Sequence, residues 1–203
     1  MTKGTDTKTA ILKTALQMAS NLGLEGVTIG VLAKEMKLSK SGLFAHFQSK
    51  EKLQLEILDY AANYFSRHVI IPALKTERGI PRIKALIKNW IDWSSKLTGG
   101  CIFVIAGNEY NDRPGNVRDY LLSQQEEWID CLKRVAQSAI ETEDFKKDID
   151  KEQFAFDLYS MLLGIHYYDK LLNDKAIKQR QDKALHDVLV KYVTPKALNT
   201  LSP

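Results

Sequence analysis

Ser39, Lys40 and Ser41 are three consecutive side chains that can cap a helix or hold an anion. A serine hydroxyl donates to a phosphate oxygen or a base edge, and an ammonium adds charge. At the start of a helix these groups join free backbone N–H groups and a partial positive charge, which together favour phosphate. A second set, Ser49-Lys50-Glu51, follows within one short helix's length, with His46 alone among apolar neighbours. Between Lys34 and Lys52 lie five lysines and two acids, a local excess of +3 in a chain of net charge +4. Spacing alone leaves two readings open here, solvated helix caps or a nucleic-acid contact.

Other chemistry finds little support. The four histidines (46, 68, 166, 186) form no HExxH pattern, and the chain has no GxSxG, P-loop or GxGxxG run. Cys101 and Cys131 have no CxxC spacing, which argues against a disulfide scaffold or structural zinc. No catalytic residue, metal or cofactor is expected, and the chain does not read as an enzyme. The longest apolar run, Cys101 to Ala106, is far shorter than the roughly 20 residues that span a bilayer. No membrane association is expected, no signal-peptide pattern is present, and the cytoplasm is the expected compartment.

The positioning elements read as helices. The 203 residues are 44% hydrophobic and 27% charged, with only 11 glycines and 5 prolines. Long helices are permitted and a many-turned β fold is disfavoured. Ile11, Leu12, Ala15, Leu16, Ala19 and Leu22 repeat every 3.6 residues, and Gly23 ends that helix. Thr28 caps a short helix to Met36, and Ser39 caps another over about 40–47. Ser49 opens a helix expected to run to about Ile70, before Pro72. Helical faces follow over 82–97, 116–140, 151–173 and 177–193, with a short apolar segment at 101–110. The expectation is an all-α fold of about nine helices.

The short helix, tight turn and second short helix over 28–47 outline a helix-turn-helix, with Ala33 small where two helices cross. The whole stretch from Thr28 to Leu53 resembles the signature of the TetR family of bacterial transcriptional repressors. The carrying residues are Gly23, Thr28, Leu32-Ala33, Leu43-Phe44, His46-Phe47, Ser49-Lys50-Glu51 and Leu53, in that family's spacing without a gap. The resemblance implies a DNA-binding domain of three helices in residues 1–48. It implies an effector-binding and dimerisation domain in 49–203, joined through the helix from about 49 to 70. It also implies contacts to operator DNA: Thr28, His46 and Lys50 to phosphates, and Ser39, Lys40, Ser41 and Gly42 facing the major groove. Leu43 and Phe47 would pack inside. Phe44 stands where the family often has tyrosine, so that contact lacks a hydroxyl. Lys37 stands where glycine is frequent; a left-handed lysine there costs about 1 kcal/mol.

The resemblance further implies a small-molecule effector, unidentified, in the second domain. Aromatic walls with a few polar groups suit such a pocket, and Trp90, Trp93, Phe103, Glu109, Tyr110, Trp128, His166 and Tyr167 are the candidates. The alternative for each is plain core. Residues 99–118 also look like a segment found in one branch of the family. Cys101 is either a redox-sensing thiol or, more simply, buried and inert. The last two long helices carry wide apolar faces, and the family pairs such helices with their copies. Leu158, Leu162, Ile165, Leu185, Val188, Leu189 and Tyr192 are the candidates for that homodimer interface. A twofold dimer would meet successive major grooves about 34–36 Å apart on a palindromic operator. Ligand would then favour a spacing that no longer fits. The rival expectation is a DNA-binding dimer whose second domain binds a protein or no ligand.

Overall fold

The computed structural model describes residues 3–199 and residue 201, with side chains from Thr7 onward. The outermost residues of the two expected domains (1, 2, 200, 202 and 203) lie outside the described residues. Eleven α-helical segments make up the described chain. They are α1 (Lys3–Leu22), α2 (Ile29–Met36), α3 (Lys40–Phe47), α4 (Lys50–Phe65), α5 (Ile71–Leu74), α6 (Ile80–Lys96), α7 (Ile102–Tyr110), α8 (Asn116–Glu141), α9 (Lys151–Lys170), α10 (Ile177–Tyr192) and α11 (Pro195–Leu198). Setting aside the single turns α5 and α11 leaves the nine expected. No strand occurs among the described residues, only an isolated bridge between Phe145 and Val193. The fold is all-α.

The polar starts do what their types dictate. Thr28 Oγ1 accepts from Val31 N at 3.2 Å, Ser39 Oγ from Gly42 N at 3.1 Å, and Ser49 Oγ from Lys52 N at 3.0 Å. Each satisfies one amide that the helix start leaves without a partner. Gly23 stops α1 at φ 79° and Lys37 stops α2 at φ 55°, both left-handed. Leu22, counted in the apolar face of α1, is exposed, while Ile11, Leu12, Ala15, Leu16 and Ala19 are buried.

Several boundaries differ from the sequence reading. The helix from Ser49 does not run straight to Ile70. It leaves α geometry at Phe65, takes a π-helical turn over Ser66–Ile70, and resumes as α5. Pro72 lies inside α5. Its ring carries no N–H and collides with the carbonyl four residues back, and a widened turn is one way to absorb such a misfit. Helix α6 begins at Ile80, one residue before Pro81, the first helical position that the sequence suggests, and Asp144 Oδ2 accepts from Ile80 N at 2.9 Å. The apolar segment at 101–110 is itself a helix, α7.

The chain forms two compact units: residues up to 66 with 93–125, and 67–92 with 126–203. In the first, α1 packs on α2, α4 and α7, while α3 packs on α2 and α4. Leu24, Leu32, Leu43, Phe47, Leu53 and Ile57 are buried there. Each such side chain contributes about 1.5–3 kcal/mol by leaving water. In the second unit, α9 packs on α10, and Phe145, Phe154 and Tyr192 meet with centroids 5.1–6.0 Å apart.

Candidate nucleic-acid interface

Helix α3 has two unlike faces. Leu43 and Phe47 are fully buried and fasten it to the unit. Ser39, Lys40, Ser41, Gly42, Phe44 and Ala45 are exposed on the other side. The first turn is tightly arranged: Ser41 Oγ lies 3.3 Å from Ser39 Oγ, which is already occupied by the cap. A Cβ on Gly42 would come 3.0 Å from that same oxygen, so a larger residue would press on the cap. The Lys40 side chain runs past the first turn of α2, its Cε 3.5 Å from where Gly30 would carry a Cβ.

Phe44 is 57% exposed. An exposed phenyl ring can offer apolar and π contacts, such as one to a thymine methyl, but no hydrogen bond. His46 is exposed, with its ring 6.1 Å from that of Phe47. Lys8 also reaches the Phe47 ring, with its ammonium 5.9 Å from the centroid. Thr28 is half-buried at the start of α2. The α2–α3 turn closes through Leu38 N to Ala33 O at 2.9 Å. Ala33 is buried, as a small residue at a helix crossing should be.

Lys50 has a partner that sequence reading did not supply. Its ammonium is paired with the carboxylate of Glu25, in the turn between α1 and α2. Glu25 also accepts from the Tyr110 hydroxyl at 2.7 Å and from Gln54 Nε2 at 3.4 Å, and Arg113 stands 3.6 Å away. The hydrogen bonds from Lys50 and Tyr110 hold the Glu25 carboxyl down to about 2. Burial and the same carboxylate push the Tyr110 phenol up. Glu109 Oε2 accepts from Leu24 N at 2.7 Å and Glu25 N at 3.2 Å. Thus Glu109 and Tyr110, candidates for an effector pocket, instead brace the turn that leads into α2. Glu25 carried no signal in the sequence, because nothing local says that α7 will arrive beside it.

The other pocket candidates are scattered. Trp93 lies among aromatic rings, 5.5 Å from Tyr64 and 5.6 Å from Phe65, and Phe65 meets Phe103 at 6.1 Å. Trp90 and Trp128 are buried, His166 is half-buried and Tyr167 is exposed. Burial, with Lys170 nearby, lowers the His166 imidazole. None of the eight lines the cavity of about 730 Å³ in the second unit. That cavity is lined by the apolar Ile87, Ile91, Leu185 and Leu189 and by charges of both signs, Lys84, Lys88 and Lys178 with Asp92 and Asp182. Burial pushes the Cys101 and Cys131 thiols up, so both fit the inert reading. No group of three or more potential metal ligands occurs among the described residues.

Of the dimer candidates, Leu158, Leu162, Ile165, Leu189 and Tyr192 are buried within the single chain, and Leu185 and Val188 are half-buried. The opposite face of α9, continued by Leu171 at its C-terminal cap, carries exposed apolar residues. Phe156, Leu163, Tyr167 and Leu171 are 67%, 39%, 54% and 66% exposed, with Ser160 and Gly164 between them. No described helix is long and apolar enough to cross a membrane.

Comparison with known proteins matches both parts of this architecture. Residues 11–67 match the model of bacterial regulatory proteins of the tetR family, and residues 79–185 match that of the tetracyclin repressor-like C-terminal domain. An uncharacterized HTH-type transcriptional regulator, YuxN of Bacillus subtilis (strain 168), is 35% identical over 72 residues. That stretch covers 36% of this chain and 24% of YuxN, so the chain spans about a quarter of that relative's length. Among solved structures, a TetR transcriptional regulator from Chloroflexus aurantiacus J-10-FL superposes with a TM-score of 0.83 at 20% identity, covering 96% of this chain and all of that one. The reduced form of NemR from E. coli gives 0.79 at 21%, covering 94% and 98%. AibR, solved with isovaleryl coenzyme A and operator DNA, gives 0.71 at 22%, covering 88% and 95%. The helix-turn-helix, its capped and exposed α3, and the matched second region together place the chain in the TetR family of DNA-binding transcriptional regulators.

Proposed function

We propose that the chain is a repressor that binds a palindromic operator as a homodimer and is released when a small molecule binds its second region. In this reading residues 1–48 hold DNA, and 49–203 sense the effector and dimerise. The observation that carries it is the polar, solvent-facing start of α3 on a helix whose other face is fully buried. Such a helix is rigid enough to read base edges and free enough to reach them. Ser41 and Lys40 would read bases, while Thr28 and His46 would hold phosphates. Ser39 is engaged as a cap, so its contribution is to fix the helix start.

Dimerisation is assigned to the outer face of α9. Phe156, Leu163, Tyr167 and Leu171 form an apolar stripe, and Ser160 and Gly164 let a second helix approach closely. The effector is assigned to the cavity of about 730 Å³, which falls within the 300–1,000 Å³ range of small-molecule sites. Its apolar lining suits an amphipathic ligand, and Lys84 and Lys178 would meet an anionic head while Lys88 is held by Asp92. AibR, of similar fold, is solved with an acyl coenzyme A, itself an anion with an apolar tail. The second reading, a regulator with no small effector, is favoured by one observation: Trp90, Trp93, Phe103 and Trp128 are all buried.

Selecting bound DNA from a random pool tests the reading. The expected product is an inverted repeat protected over two successive major grooves, whose binding falls steeply with salt. Recovery of no preferred sequence, or of an asymmetric half-site bound by monomer, would refute it. Adding amphipathic anions to the selected complex then separates the two effector readings.

A further inference from the structure

The pairing of Lys50 with Glu25 ties one cation of the DNA-binding unit to a carboxylate that α7 holds in place. We propose that Glu25 is an internal stand-in for a DNA phosphate, held by Tyr110 of α7, and competes with the operator backbone for Lys50. The proposal rests on the reading of Lys50 as a phosphate contact.

Five observations in the first unit carry it. Lys50 opens α4, three residues after the end of α3, where a cation is placed for the phosphates flanking α3. Its ammonium is paired with the Glu25 carboxylate. The Glu25 carboxylate is fixed from three other sides, by the Tyr110 hydroxyl at 2.7 Å, Gln54 Nε2 at 3.4 Å and Arg113 at 3.6 Å. The backbone beneath it is fixed as well, since Glu109 accepts from the amides of Leu24 and Glu25, and a Cβ on Gly23 would overlap the Glu109 carboxylate. The segment leading into α7 presses on the same helix end. Gln17 Nε2 donates to Lys96 O at 3.3 Å, and a Cβ on Gly99 would overlap the carbonyl of Ser20.

The consequence is regulatory. With α7 in this position Glu25 is a well-oriented anion, and every phosphate that recruits Lys50 must displace it. A shift of α7 that withdraws Tyr110 and Glu109 loosens Glu25 and frees Lys50. A shift that tightens them does the reverse. The 99–118 stretch is thereby the segment that carries Glu109, Tyr110 and Arg113 to the DNA-binding helices.

The test is a double-mutant cycle on the full chain with the selected operator, at several salt concentrations. Glu25→Gln keeps shape and removes the competing charge. Exposed ion pairs are worth about 0.2–1 kcal/mol, so operator affinity should rise about 1.5- to 5-fold. Tyr110→Phe, which deletes only the hydroxyl, should raise it by a smaller factor. In a Lys50→Ala background both gains should vanish. A general effect of the added net charge would instead survive in Lys50→Ala, and that result overturns the proposal. Unchanged affinity in both single variants, with melting temperatures showing them folded, also overturns it. Lys40→Ala separates this outcome from failure of the DNA-binding reading: if it weakens the operator complex while Glu25→Gln does nothing, only the competition fails. A protein that selects no DNA overturns both.

Discussion

Replacing Lys37 by glycine should stabilise the chain, and the size of the gain follows from one backbone angle. Lys37 ends α2 at φ 55° and ψ 37°, the left-handed region. A residue with a Cβ is about 1–2 kcal/mol worse there than in the right-handed region, whereas glycine carries no such penalty. Glycine loses more chain entropy on folding, which takes back about 0.5–1 kcal/mol. The difference is a net gain of about 0.75 kcal/mol, or about 1.5–3 °C in melting temperature for a chain of this size. Lys37→Ala is the control, because it removes the side chain and keeps the Cβ. Thermal unfolding by circular dichroism at low and moderate salt reads both. Lys37→Gly should raise the midpoint and Lys37→Ala should not. Equal shifts in the two variants would mean that the lysine charge, not the backbone, sets the energy, and the backbone argument would fall. Operator binding provides a second reading: if Lys37 touches a phosphate, both variants lose about 0.9 from the slope of log affinity against log salt.

Other outcomes follow from particular contacts. Ser49→Ala removes the acceptor of Lys52 N at the start of α4 and should cost about 1 kcal/mol in chemical denaturation. Phe44→Tyr restores a hydroxyl on an exposed ring and should tighten operator binding about 3- to 10-fold through one charge-assisted bond to phosphate, measured by fluorescence anisotropy. Glu25 titrates near 2 when folded, below its unfolded value of 4.5, so its stabilisation is present above about pH 4.5 and is lost as pH falls toward 2. Acid unfolding of Glu25→Gln should therefore be less steep across that window. Leu163→Glu places a charge on the outer stripe of α9 and should turn a dimer into a monomer in sedimentation, while Leu162→Glu, on the buried face, should unfold the chain.

Much of the fold was legible because its signals are local. A hydroxyl at 28, 39 or 49 satisfies an amide three residues on, so type and spacing alone locate each helix start. Gly23 and the awkward Lys37 mark helix ends for the same reason. The π-turn at 66–70 was not legible. Whether Pro72 ends a helix or is carried through it depends on what the preceding turn can widen to accommodate, and that is set by packing, not by the proline. The acceptor at the start of α6 is Asp144, 64 residues away.

The candidate site divides along the same line. The face of α3 could be deduced, because burying Leu43 and Phe47 forces positions 40, 41 and 44 outward. The role of Glu109 and Tyr110 could not, since an acid and a phenol suit a ligand pocket as well as a brace. Helix α9 shows the general difficulty. Its sequence has apolar residues on nearly every side, so a 3.6-residue period selects Leu158, Leu162 and Ile165 as readily as Phe156, Leu163, Tyr167 and Leu171. Only the path of the rest of the chain decides which set is covered. Here α10 covers the first, through Tyr192 against Phe154 and its hydroxyl on Asp157 at 2.9 Å. What remains uncovered is large, aromatic and interrupted by Ser160 and Gly164. A face of that composition loses about 25 cal/mol for each Å² left in water. Covering it with a second copy of itself requires no other surface, because an interface about a twofold axis uses the same patch twice.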